Sequence, residues 1–197
     1  MNRIPIMSDE ELVKFLNSLF PKNFGEEIYQ KQLAEIMDRG LKIGDNPPTV
    51  SIPIEFIPRI LRLLDVKLGK VFYDLGCGFG QVLIGAAMTG ASAIGYDIRE
   101  EVVEVAKEKI KEAGLEKRAE VYHGDIKTKI EGIEYADSVY LYLTDKILSD
   151  IGLELIKNLK NGCLVGSMHY EIYTLCAYLK EKYKFDGTSF YLYQIRK

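Results

Sequence analysis

Cysteine is scarce in this chain. Cys77, Cys163 and Cys176 are the only three, an odd number with no CxxC spacing. That excludes a disulfide framework and a zinc site, and reads as reduced, mostly buried thiols in an intracellular protein. No metal is expected. Long apolar runs are also missing: no stretch approaches the roughly 18 residues that span a bilayer, and the first residues lack the apolar core of a signal peptide. The expected location is the cytoplasm, with no membrane partner. Nor is there a basic excess. Lys and Arg number 26 against 29 Asp and Glu, a formal charge of −3 with a pI near 5.6. Composition therefore carries no strong nucleic-acid signal. No internal repeat, low-complexity tract or flexible linker interrupts the chain.

What is present suits one domain with a small appendage. A chain of 197 residues, 47% of them apolar, is long enough to hide roughly 70% of its unfolded surface. Residues 1–46 read as an N-terminal helical extension. Ser8 and Glu11 form a capping-box pattern before Leu12, Val13, Phe15, Leu16, Leu19 and Phe20, and Pro21 ends that run. A second run places Tyr29, Leu33, Ile36 and Met37 at helical spacing and ends at Gly40. The breaker-rich stretch "LKIGDNPPTVSI", residues 41–52, is where a movable lid is expected. A third helix is expected over 53–64, carrying Phe56, Ile57, Ile60, Leu61 and Leu64.

From residue 71 short apolar strands alternate with helices. "KVFYDL", "SAIGYDI", "AEVYHGDI", "DSVYLYLT" and "CLVGSMHYEI" read as strands; "GQVLIGAAMT", 99–113 and 145–159 read as helices. Such alternation predicts an α/β fold, a mostly parallel sheet with helices on both faces. The end differs: "EKYKF", the turn "DG" and "TSFYLYQI" predict an antiparallel hairpin.

The stretch "VFYDLGCGFGQVLIGAA", residues 71–87, carries the chemistry. In a doubly wound sheet, ligands bind outside the carboxyl ends of the strands, and a glycine loop lets the backbone approach them closely. Asp74 closes the first strand, Asp97 the second, 21 residues after Gly76, and Asp125 the third. An acid at the second strand end is placed to accept hydrogen bonds from ribose hydroxyls. The loop spells D-x-G-x-G-x-G through Gly76, Gly78 and Gly80, not the GxGxxG of a dinucleotide site. A carboxylate at Asp74 repels pyrophosphate and suits a cationic ligand bearing an amino group. That profile fits S-adenosyl-L-methionine better than NAD.

With these motifs the sequence resembles the class I, seven-strand S-adenosylmethionine-dependent methyltransferases over about residues 47–197. "DLGCGFG" looks like their first motif, "GYDI" their second-strand acid and "HGDI" their third-strand motif. The resemblance implies a Rossmann-like, doubly wound seven-stranded sheet and a methyltransferase domain at 47–197. It places Asp74 near the methionine amino group, with Gly76, Cys77, Gly78, Gly80 and Gln81 supporting the cofactor. Asp97 and Ile98 would meet the ribose, Asp125 and Ile126 the adenine, and Tyr142 would complete the pocket. Cys77 reads as a small side chain chosen for space.

The acceptor is a separate question. The Asn/Asp-Pro-Pro-aromatic tetrad of enzymes that methylate base nitrogens or glutamine amides is absent after the fourth strand, which reads "YLYLTD". "PPTVSIPIEFIPRIL" leading into "VFYDLGCGFGQVL" is similar to non-SET histone-lysine and archaeal protein-lysine methyltransferases. Pro53, Leu143, Thr144 and Ser167 match the archaeal pattern, whereas Ile52 replaces its loop threonine and His169 is displaced from its histidine. That resemblance implies a protein-lysine substrate and an acceptor channel formed by Tyr142, Thr144 and Tyr170, with Tyr140 and Tyr173 nearby. A small-molecule or RNA methyltransferase, and a non-catalytic cofactor-binding scaffold, stay open as alternatives. The sequence sets no oligomeric state.

Overall fold

The computed structural model describes residues 7–41 and 47–197. Residues 1–6 and 42–46 lie outside the described residues, and with them part of the extension and of the stretch read as a lid. The first helix, α1 (Asp9–Leu19), starts at the expected capping box: Ser8 N–H donates to Glu11 Oε2 at 2.7 Å and Glu11 N–H to Ser8 Oγ at 3.2 Å. Its buried stripe is Leu12, Leu16 and Leu19. In α2 (Glu26–Asp38) the expected face shifts: Met37 is 72% exposed, and the buried pair is Gln32 and Ile36. The reason is the partner surface, which meets α2 along one i, i+4 line and offers Gln32 hydrogen bonds. The third helix opens as a 3-10 turn (Ile54–Phe56) before α3 (Ile57–Leu63), with Pro58 in its first turn, where its missing N–H costs nothing.

A seven-stranded sheet follows: β1 (Val71–Leu75), β2 (Ser92–Asp97), β3 (Ala119–His123), β4 (Ser138–Leu141), β5 (Leu164–Met168), β6 (Leu179–Phe185) and β7 (Thr188–Gln194). Their spatial order is β3-β2-β1-β4-β5-β7-β6. The first five strands pair in parallel, and β7 runs antiparallel between β5 and β6. The turn Asp186–Gly187 closes the hairpin between Phe185 and Thr188. Between the strands run α4 (Gln81–Met88), α5 (Glu100–Glu112) and α6 (Asp145–Asn158).

Both faces of β1 are buried, as a central parallel strand requires. Phe72 points into a core built from α1, α3, α4 and α5, through Leu16, Ile57, Leu83 and Val103. Tyr73 and Leu75 point into a second core under α6, with Leu148, Ile151 and Val165. The chain winds outward from β1 to β3, then returns to β4 on the other side of β1. The carboxyl ends of β1 and β4 therefore flank the point where the order reverses, the place for a ligand in such a sheet. No helix among the described residues is long and apolar enough to cross a membrane.

Candidate active site

One cavity opens at that switch point. Asp74, Asp97 and Asp125 all line it, so the three acids converge from three strands that lie side by side. Asp74 and Asp97 are the last or next-to-last residues of their strands, whereas Asp125 lies two residues beyond β3, in the loop that follows.

The glycine loop is held by backbone geometry. Gly76 and Cys77 both donate their N–H to the Tyr96 carbonyl, at 2.8 and 2.9 Å, which turns the chain sharply as it leaves β1. Gly76 has φ +83°, and a Cβ there would stand 2.5 Å from Leu143 Cδ2. A side chain there would carry the strain of a left-handed backbone and would require Leu143 to move. Gly78, φ +53°, donates its N–H to Asp97 Oδ2 at 2.9 Å, while Arg99 N–H donates to Asp97 Oδ1 at 3.0 Å. One carboxylate thus ties the loop after β1 to the start of α5. Gly80 does not line the cavity; at φ +86° it precedes α4 as its N-cap.

Gly76, Cys77, Gly78, Gln81, Ile98, Ile126 and Tyr142 line the cavity with the three aspartates. Cys77 is buried, and burial pushes its thiol well above the ordinary range, which disfavours the nucleophilic thiolate. Its sulfur fills the space beside Gly95, where a Cβ would stand 2.9 Å from Sγ. Two expected acceptor residues lie elsewhere in the local structure. Strand β4 ends at Leu141, so Thr144 becomes the N-cap of α6, its hydroxyl accepting from Ile147 N–H at 3.5 Å. Tyr170 stands outside the cavity lining, 40% exposed and edge-on to the His169 ring at 4.5 Å. It remains close enough to Tyr142 to add to the upward push that burial gives that phenol. Tyr173 is 70% exposed.

The roof is the part that sequence reasoning assigned no contacts. Residues 47–52 cross the cavity, anchored at three points: Thr49 N–H donates to Gln32 Oε1 at 2.7 Å, Gln81 Nε2 to Ser51 Oγ at 2.8 Å, and Arg99 to the Pro47 carbonyl at 3.2 Å. Gln32, 1% exposed, also donates to Glu101 Oε1 at 3.1 Å. A polar residue four positions before Ile36 on an otherwise apolar face was the available signal.

Electrostatically the floor is unusual. Asp74 is 2% exposed and its Oδ2 has no hydrogen-bond partner among the described residues. Burial first, and the neighbouring Asp97 second, push its carboxyl from the ordinary 3.8 up to about 8. Asp97 is also raised, mainly by burial, against the pull of the Arg99 and Gly78 amides. The site has an acceptor that is costly to ionise alone and becomes favourable when a cation sits against it.

Residues 74–177 match the family described as the ANTKMT methyltransferase domain. The chain belongs to that family. Among its relatives, the protein-lysine N-methyltransferase of Saccharolobus islandicus is 31% identical over 127 residues, covering 64% of this chain and 78% of that protein. The ribosomal protein L11 methyltransferase of Desulforamulus reducens is 27% identical over 128 residues, but this chain spans only 39% of it. Among solved structures, an RNA methyltransferase from Salinibacter ruber in complex with S-adenosyl-L-homocysteine superposes with a TM-score of 0.70 at 30% identity, over 75% of this chain and 95% of that one. The chain is an S-adenosylmethionine-dependent methyltransferase with a Rossmann-like fold. The cavity of this ANTKMT-family domain fits that cofactor: the unpaired Asp74 oxygen suits an amino group, and the glycine loop leaves room for the backbone to approach it.

The raised Asp74 carboxyl gives a test in the ligand-free protein. A group whose folded pKa lies above its unfolded value stabilises fully below about pH 4 and loses that contribution as pH rises through about 8. Asp74→Asn removes the loss. Thermal melts without cofactor should show the variant gaining on wild type between pH 5 and pH 9; a constant difference across that range contradicts the assignment.

Proposed function

We propose that this methyltransferase modifies lysine side chains of proteins. The observation that carries the reading is the 31% identity to a protein-lysine N-methyltransferase, spread over 78% of that relative. The ribosomal protein L11 methyltransferases among its relatives are also named for a protein. The similarity to an RNA methyltransferase supports a second reading, which the net charge of −3 disfavours because phosphate backbones repel it.

In this reading residues 1–46 form the extension and 47–197 the methyltransferase domain. Asp97 accepts hydrogen bonds from the ribose hydroxyls, Asp74 meets the amino group, Asp125 and Ile126 frame the adenine, and the backbone of Gly76, Cys77 and Gly78 supports the ligand. The cofactor, when bound, supplies an activated methyl group on a sulfonium. The chain's task is to orient the acceptor and exclude water. The roof at 47–52 serves the second need, and Tyr142, Leu143 and Ile147 give the cavity an apolar side.

A lysine acceptor must first shed a proton, since only a few parts in roughly ten thousand are neutral at pH 7. His169 is poorly placed to take it. The residue lies outside the cavity lining, exposed, with Nδ1 2.9 Å from Thr188 Oγ1. Among the described residues, the acids that line the cavity are Asp74, Asp97 and Asp125, and a carboxylate beside an ammonium holds its proton on. Loss of solvation against Tyr142 and Leu143 favours the neutral amine instead.

The acceptor is tested by incubating the protein with radiolabelled S-adenosylmethionine and a cell lysate. Label in protein, released as methyl-lysine on acid hydrolysis, is the expected result; label in RNA or small molecules overturns the lysine reading, and no transfer at all favours a scaffold. The proton route has its own test. With a lysine peptide, kcat/KM should keep rising from pH 7 to beyond about 9, and His169→Gln should keep that shape. A plateau near pH 7 that the substitution abolishes makes the histidine the base.

A further inference from the structure

Two buried side chains in the cavity end without a partner among the described residues. Asp74 Oδ2 is one, and the hydroxyl of Tyr140 is the other. The two residues are Cα partners across β1 and β4, both line the cavity, and each is 2% exposed. A hydroxyl buried without a hydrogen bond destabilises the fold, and phenylalanine fills the same space without that cost. Burial and the facing Asp74 push the Tyr140 phenol well above its ordinary value, so it stays neutral, with one proton to donate and lone pairs to accept. A carboxylate and a neutral phenol side by side offer two acceptor oxygens, and a cationic donor can bond to both while offsetting the buried negative charge. An ammonium carries three N–H donors.

We propose that the Tyr140 hydroxyl is a second protein ligand, with Asp74, for the α-ammonium at the amino-acid end of S-adenosylmethionine. The inference rests on the cofactor placement above. Within the cavity the alternative occupant, an acceptor amine, is disfavoured by depth: Tyr140 lies within the strand, whereas Tyr142 and Leu143, half-buried, follow its end. The paired acceptors also give the site a means of selection, because an adenosine compound without the amino-acid end leaves both atoms unsatisfied.

Calorimetry with two ligands separates the possibilities. S-adenosylhomocysteine keeps the amino group, and 5′-methylthioadenosine shares the thioether and adenosine but lacks it. Tyr140→Phe should weaken S-adenosylhomocysteine binding by about tenfold, the scale of a hydrogen bond to a charged group, and leave methylthioadenosine within about twofold of wild type. A thermal melt at or above that of wild type shows that the variant folds. Equal weakening of both ligands means a distorted cavity, and unchanged binding of both means that the hydroxyl serves only a buried water; either overturns the proposal. If wild type binds neither ligand, the cofactor placement itself fails, and this proposal with it.

Discussion

The site is organised around a single carboxylate that has left solvent. Asp97 accepts one N–H from the glycine loop and one from the start of α5, so the turn after β1 and the turn after β2 are fixed to each other through its two oxygens. Those bonds offset part of the cost of burying the charge, and the direction of its shift shows that burial still outweighs them. Asp74, on the adjacent strand, has no such compensation on Oδ2 and is held toward the neutral form. The cavity thus holds two acids that burial pushes toward the neutral form, one of them compensated by backbone N–H groups. Its floor is arranged for a ligand, at the expense of ligand-free stability.

The same joint reaches the roof. Arg99 follows Asp97 by two residues and binds the Pro47 carbonyl, and Glu101, in the first turn of α5, accepts from Gln32 of α2. A change at the carboxyl end of β2 is therefore mechanically connected to the stretch that covers the cavity. The N-terminal helices belong to this arrangement twice over. α2 supplies Gln32 beneath the roof, and α1 places Leu16 in the core shared with α3 and α4.

Much of this was legible from the chain, for a physical reason. Parallel strands put their carboxyl ends on one edge, so an acid that closes each apolar run is bound to meet the others, and Asp74, Asp97 and Asp125 do. The capping box at Ser8 and the two-residue turn at Asp186–Gly187 are equally local signals. The roof contacts were not legible, because Gln32 meets residues 17 and 69 positions away. Thr144 shows a conflict between signals: its family position suggested the acceptor channel, while its place before Asp145 and an apolar helical run makes it a helix cap. For Tyr140 the strand pattern is silent, since β4 is buried on both faces and alternation cannot tell which hydroxyl lacks a partner.

Asp97 also provides the most direct test of the cofactor site. Two charge-assisted hydrogen bonds to ribose hydroxyls are worth roughly 1.5–3 kcal/mol each, so Asp97→Ala should weaken S-adenosylmethionine binding by more than about tenfold in calorimetry, with the circular dichroism of the folded protein preserved. An affinity equal to that of wild type in the folded variant places the cofactor elsewhere and contradicts the account.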